Sequence, residues 1–222
     1  MIDLKKAITY PFDDEQWPRK LLIGFALFLV PIVNFFVVGY AYRIFKTALR
    51  KEDLSLPEWD NWKDLFVNGF KVCVIILCYF FIPLVFRIVT VILVREGASA
   101  IILLIFILLA GLLHFAAMAC SSMALTFFAK SDERFKEAFW LEEIVYHIRN
   151  VLGDFFIAFL IIFAIHFFML LFNIIPFLGL IIYIMTLFYL ICLVCPGIFG
   201  SICAEIFEDV EILQETTQPP WL

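Results

Sequence analysis

The chain is predicted to be an all-α integral membrane protein, and three observations carry that expectation. Of its 222 residues, 64% are hydrophobic and 28 are Phe, more apolar surface than the interior of a domain this size can hide. Four apolar runs, residues 66–94, 98–128, 151–175 and 177–204, are each long enough to cross roughly 30 Å of hydrocarbon at about 1.5 Å per residue. Fourteen of the sixteen Lys and Arg fall in three polar stretches that fit on one side of a membrane.

Those stretches set the expected threading. The N-terminal one holds Lys5, Lys6, Arg19 and Lys20, residues 42–71 hold six more cations, and residues 129–150 hold Lys130, Arg134, Lys136 and Arg149. Basic residues accumulate on the cytoplasmic face, so two hairpins, 66–128 and 151–204, leave all three stretches and both termini in the cytoplasm. The turn at Arg95-Glu96-Gly97 then lies outside. The first nineteen residues are polar and mixed in charge, which does not read as a cleavable signal peptide. The six Cys all lie in apolar segments, so no extracellular disulfide framework is implied. A net charge of −5 without a basic tail gives no indication of nucleic-acid binding.

Segment 21–42 departs from this pattern. A single crossing would put basic stretches on opposite sides, and Pro31 and Asn34 sit at its centre, where Pro removes a helix hydrogen bond and Asn is costly in lipid. A re-entrant hairpin turning at Pro31–Asn34 resolves both difficulties if other helices cover its backbone. A kinked single span is the alternative. Two amphipathic helices are expected before the hairpins. The first, 55–65, opens on Ser55 and Glu58 spaced as a capping box, and the second covers 131–150. Trp59, Trp62, Trp140 and Tyr146 are their aromatic anchors at the headgroup level, or else a docking surface for a partner. The whole of 1–213 forms one helical membrane domain, and residues 214–222, with Pro219 and Pro220, form an unstructured tail.

A resemblance emerges from a set of scattered residues. The run Asp13-Asp14-Glu15-Gln16-Trp17, then Pro31–Asn34, Gly39-Tyr40 and Arg43, then Leu56-Pro57-Glu58-Trp59-Asp60 with Trp62 and Gly69, resembles a family of prokaryotic multi-pass membrane proteins catalogued as a domain of unknown function. The resemblance implies a bacterial or archaeal inner-membrane protein. It carries no substrate or catalytic residue.

Few residues are placed to do chemistry. His114 and His166 lie fourteen and fifteen residues from the cytoplasmic ends of their helices, roughly 21–23 Å deep for both. Level imidazoles can ligate haem or a metal or relay protons, but two His without a neighbouring carboxylate more often pack structurally. Lys71, Asp154 and Glu205 lie near the cytoplasmic ends of their spans, and Asn34 joins them in the re-entrant arrangement. They form either a polar site for an ion or small solute, or a set of snorkelling and capping residues. Cys192 and Cys195 have the spacing of a redox or zinc pair, yet in an apolar helix they read as inert thiols. Phosphate-binding glycine loops, zinc-protease helices and nucleophile elbows are absent from the sequence. No enzyme, cofactor or metal is expected. The sequence points to a structural, assembly or partner-binding subunit in contact with membrane lipids, with a small oligomeric channel or transporter as the alternative.

Overall fold

The computed structural model describes the backbone of residues 4–170 and 178–217 and the side chains of residues 5–169 and 179–206. Every regular element among them is helical: α1 (Leu4–Thr9), α2 (Trp17–Phe28), α3 (Asn34–Leu49), α4 (Trp62–Arg95), α5 (Ala100–Lys130), α6 (Leu141–Leu170), α7 (Leu178–Tyr189) and α8 (Cys195–Thr217). Short 3-10 turns cover Tyr10–Asp13 and Phe135–Phe139, and a π-helical turn joins α7 to α8 over Leu190–Val194.

Four helical stretches, Trp62–Arg95, Ala100–Lys130, Leu141–Met169 and Gly179–Ile206, are long and apolar enough to cross a membrane. Their most apolar windows are only 17%, 6%, 17% and 39% buried, an exposure of Leu, Ile and Phe that hydrocarbon tolerates and water does not. The spans match the four apolar runs of the sequence. The connection between the last two, near residue 176, lies outside the described residues.

The expected amphipathic helices take another form. Residues 52–61 are irregular and α4 opens at Trp62, so the helix expected over 55–65 is not formed. The cause lies at both ends of this stretch. Lys51 adopts the left-handed conformation (φ 55°), and its amide and that of Glu52 bond back to Ala48 and Thr47, closing α3. Asn61, also left-handed (φ 45°), accepts the first amide hydrogen bonds of α4 from Asp64 and Leu65. Ser55 and Glu58 therefore cap nothing. Over 131–150 the chain forms the 3-10 turn and then enters α6 directly. Trp140, Leu141, Val145 and Tyr146 are left exposed beside Glu142 and Glu143. The tail, expected to be unstructured from residue 214, is helical to Thr217, and residues 218–222 lie outside the described residues.

The chain forms two compact units, residues 1–72 with 150–222, and residues 73–149. In the first, α3 is the most enclosed helix, burying Val37, Tyr40, Tyr42, Ile44, Phe45 and Ala48. Its backbone meets two neighbours through glycine. A Cβ on Gly39 would overlap the Leu65 carbonyl, one on Gly69 would overlap the Phe35 carbonyl, and one on Gly200 would stand 2.6 Å from the Phe45 carbonyl oxygen. Such spacing is possible only without side chains. The π-turn before Pro196 has a local cause, because proline offers no amide to the Cys192 carbonyl four residues back and its ring crowds that carbonyl. The Tyr10 hydroxyl donates to the Leu193 carbonyl in this turn at 3.1 Å, and the Tyr189 hydroxyl donates to the Ile8 carbonyl, fastening the N-terminal turns to it.

The second unit is built on α4 and α5. Their connection ends α4 with Gly97 left-handed (φ 72°) and the Ala98 amide bonded to the Leu93 carbonyl, the arrangement only glycine adopts without cost. Ala117, Ala119, Met123, Ala124 and Phe128 form the buried face of α5, and Ala138, Ile144 and Ile148 are buried in the same unit. The Tyr79 hydroxyl holds the Ala138 carbonyl at 2.7 Å.

Candidate functional site

The densest polar structure is one whose residues the sequence distributes from Asp14 to Asn68. It assembles around residues 56–60, the Leu-Pro-Glu-Trp-Asp element. Lys20, at the start of α2, is only 6% exposed. Its ammonium has three N–H donors and three acceptors: Asp14 Oδ2 at 2.7 Å, Glu58 Oε1 at 2.5 Å and the Leu56 carbonyl at 3.0 Å. Tyr40 on α3 donates to the next carbonyl, that of Pro57, at 2.9 Å. Trp59 stacks on the Tyr40 ring at 4.1 Å between centroids and donates its indole N–H to the Lys20 carbonyl at 3.0 Å. Trp62 stacks on Trp59 in turn, 5.9 Å away.

Arg43, one turn further along α3, takes the other end of the loop. Its Nη1 donates to the Glu58 carbonyl at 3.2 Å and to Asp60 Oδ1 at 2.5 Å, while Nη2 reaches the Asp60 carbonyl at 3.2 Å and Asp64 Oδ2 at 3.4 Å. The buried Asn68 amide donates to Asp64 Oδ1 at 2.8 Å and extends the network into α4. Lys6 adds an exposed pair with Asp53 at 2.7 Å, a contact of little weight in water.

The electrostatics follow from this geometry. The hydrogen bond from Lys20 holds the Asp14 carboxyl below its ordinary value of 3.8, outweighing the partial burial that opposes it. For Lys20, burial disfavours the charge, but the hydrogen bonds to Asp14 and Glu58 prevail and hold the ammonium above its ordinary value of 10.5. Both groups are charged at neutral pH. The cluster is thus a clamp: its donors and acceptors are spent on the protein's own backbone and carboxylates, which suits it to hold a loop.

Lys20 and Tyr40 also fix the course of segment 21–42. Twenty residues of straight helix would separate them by about 30 Å, yet they bind adjacent carbonyls. The chain breaks between α2 and α3 over residues 29–33, with Ile32 left-handed (φ 73°), a costly conformation for a β-branched residue.

The residues singled out in the sequence are placed as follows. Trp59 is half-buried inside the clamp and Trp62 borders it. Trp140 and Tyr146 are exposed in the second unit, the latter by 65%. Asn34 is the first residue of α3, beside the break. Lys71 on α4, Asp154 on α6 and Glu205 on α8 are each half-buried in the first unit. His166 faces the Tyr183 hydroxyl at 3.4 Å in the first unit, and His114 packs edge-on against Phe80 at 5.0 Å in the second. Among the described residues no three His, Cys, Asp or Glu converge as a metal site. Ser121, Ser122 and Thr126 donate their hydroxyls to carbonyls of their own helix. Lys20 was legible in the sequence only as one more basic residue at a membrane edge. The signal that could have singled it out was its company: Asp14, Tyr40, Arg43, Glu58, Trp59 and Asp60 all belong to the residues that carry the family resemblance.

Four helices able to cross a membrane and a polar clamp holding a loop against two shorter helices define an α-helical membrane protein. The chain belongs to the family described as "Protein of unknown function (DUF4013)", which matches residues 22–184. Comparison with curated proteins and with solved structures yields no match.

Proposed function

We propose that this protein is a non-enzymatic, multi-pass subunit of a prokaryotic cytoplasmic membrane, serving a structural, assembly or partner-binding role. In this reading segment 21–42 is re-entrant, and both termini and the basic loops face the cytoplasm. One observation carries it: Lys20 and Tyr40, on either side of the break, donate to the adjacent carbonyls of Leu56 and Pro57. Both arms of the segment thus return to a single loop, as a re-entrant element requires. The Glu58 and Asp60 side chains of that loop are engaged with Lys20 and Arg43 in holding it. The partner-facing surface is the exposed Trp140-Leu141-Glu142-Glu143 stretch with Tyr146, where large aromatics and acidic groups favour a helix or loop carrying basic residues.

Two measurements test this. Single cysteines at Asp3 and Glu52 are expected to react with a membrane-impermeant reagent from the same side, and labelling from opposite sides would reject the re-entrant form. The particle purified in nanodiscs is expected to carry a stoichiometric foreign subunit that is lost in Trp140→Ala and Tyr146→Ala. A discrete homo-oligomer whose ion flux falls in Asp154→Ala would replace this reading with transport through the Lys71, Asp154 and Glu205 level.

A further inference from the structure

The first unit contains a groove of about 570 Å³ that the clamp does not use. One wall comes from the N-terminal turns and α2, with Ile8, Phe12, Trp17, Leu22 and Phe25. The other comes from α6, α7 and the π-turn, with Ile165, Met169, Met185, Tyr189 and Val194. The N-terminal wall is fixed in place, because Phe12 stacks on Tyr189 at 5.9 Å and the Tyr189 hydroxyl holds the Ile8 carbonyl.

We infer that this groove binds one acyl chain of an anionic phospholipid. Its lining determines the chemistry. Both hydroxyls of the lining are already engaged: Thr186 Oγ1 donates to the Ile182 carbonyl at 2.8 Å, and the Tyr189 hydroxyl donates to the Ile8 carbonyl, which leaves the Trp17 indole N–H at the exposed rim as a side-chain donor. A polar solute would lose its hydration and find little in this lining to replace it, whereas an alkyl chain has no hydrogen bonds to lose. The volume falls within the roughly 300–1,000 Å³ of small-ligand sites. Ile165, Met169 and Met185 belong to helices long and apolar enough to cross a membrane, so the groove is continuous with the surface that meets hydrocarbon.

Exposed cations on the same two N-terminal elements that form one wall select the headgroup. Lys5 precedes Ile8 by one turn of α1 and Arg19 follows Pro18 on α2. Both are exposed, and among the described residues neither carries an ion pair. Two available cations beside an apolar slot suit a phosphate whose chain enters that slot. The neighbouring Lys20, by contrast, is enclosed by its own carboxylates. This inference does not depend on the partner-binding role proposed above.

The full-length protein would be reconstituted in phosphatidylcholine vesicles containing a trace of phosphatidylglycerol with a photoactivatable diazirine on its acyl chain, and the labelled peptides would be mapped. Label is expected to concentrate on Met169, Met185 and Leu22 over the exposed Leu104 and Leu108 of α5. Excess unlabelled phosphatidylglycerol should displace it and phosphatidylcholine should not. Leu22→Trp, which fills the slot, and the pair Lys5→Gln with Arg19→Gln should each lower groove labelling roughly tenfold, about 1.4 kcal/mol, while α5 labelling stays level. Equal labelling of groove and α5 in the unsubstituted protein would show ordinary surrounding lipid and overturn the inference, with no need of a folded variant. Displacement by both lipids alike would overturn the headgroup assignment.

Discussion

Lys20 and Tyr40 arise from different helices, yet their side chains end on adjacent carbonyls, Leu56 at 3.0 Å and Pro57 at 2.9 Å. That relationship makes the loop at residues 56–60 the point to which α2 and α3 both return. A loop without secondary structure leaves backbone groups to satisfy, and here side chains of the two helices satisfy them.

Replacing Lys20 with Met keeps the stem and removes three hydrogen bonds at once. Hydrogen bonds to charged groups contribute roughly 1.5–3 kcal/mol each, but Glu58 is 65% exposed and its share is small. The expected loss is about 3 kcal/mol, a fall of roughly 6–12 °C in the melting midpoint of the detergent-solubilised protein for a chain of this size. A fall of less than a degree would mean that the ammonium is solvated and the clamp is incidental.

The same clamp should be insensitive to pH across the neutral range. Asp14 has a folded-state value below its unfolded one, so its contribution is complete above about pH 4 and is lost as pH falls through the depressed value. Lys20 has a folded-state value above its unfolded one, so its contribution is complete below about pH 10 and is lost as pH rises through the raised value. The melting difference between the wild type and Lys20→Met is therefore expected to be flat from roughly pH 5 to 9 and to shrink outside that window. A slope across neutrality would point to a titrating histidine instead.

Arg43→Lys should loosen the loop without unfolding the protein. The guanidinium reaches four acceptors on Glu58, Asp60 and Asp64 through two separate nitrogens, a span that a single ammonium cannot reproduce. Loss of about 1.4 kcal/mol of local stability raises amide exchange roughly tenfold. The readout is deuterium uptake in peptides covering residues 56–61, with uptake in α5 unchanged as the internal control.

Two glycines on long helices should respond in opposite ways to the same change. Gly39→Ala drives a Cβ into the Leu65 backbone and is expected to cost about 1–3 kcal/mol through forced separation of α3 and α4. At Gly111 a Cβ meets nothing within 4 Å, so Gly111→Ala should leave stability unchanged or raise it by roughly 0.5–1 kcal/mol. Thermal melts of both variants decide the matter, and equal effects would contradict the close approach of α3 to α4.

The sequence by itself determined the four long helices. Their apolar runs are read directly as length and hydropathy, because a helix satisfies its own backbone and needs no partner to enter lipid. It also placed the interruption of the first segment at Pro31–Asn34, close to the observed break, because proline and a polar side chain act locally. The tertiary structure decided what happens between those elements. Residues 55–61 carry a helical pattern of spacing, but Lys51 and Asn61 turn left-handed and Glu58 is drawn to Lys20, so long-range contacts outweigh a weak local preference. The fate of Lys20 was illegible for the same reason: whether a cation at a membrane edge snorkels to water or is enclosed depends on which acceptors reach it. Those acceptors, Asp14, Leu56 and Glu58, lie up to thirty-eight positions away along the chain and meet it only when α2, α3 and the loop have come together.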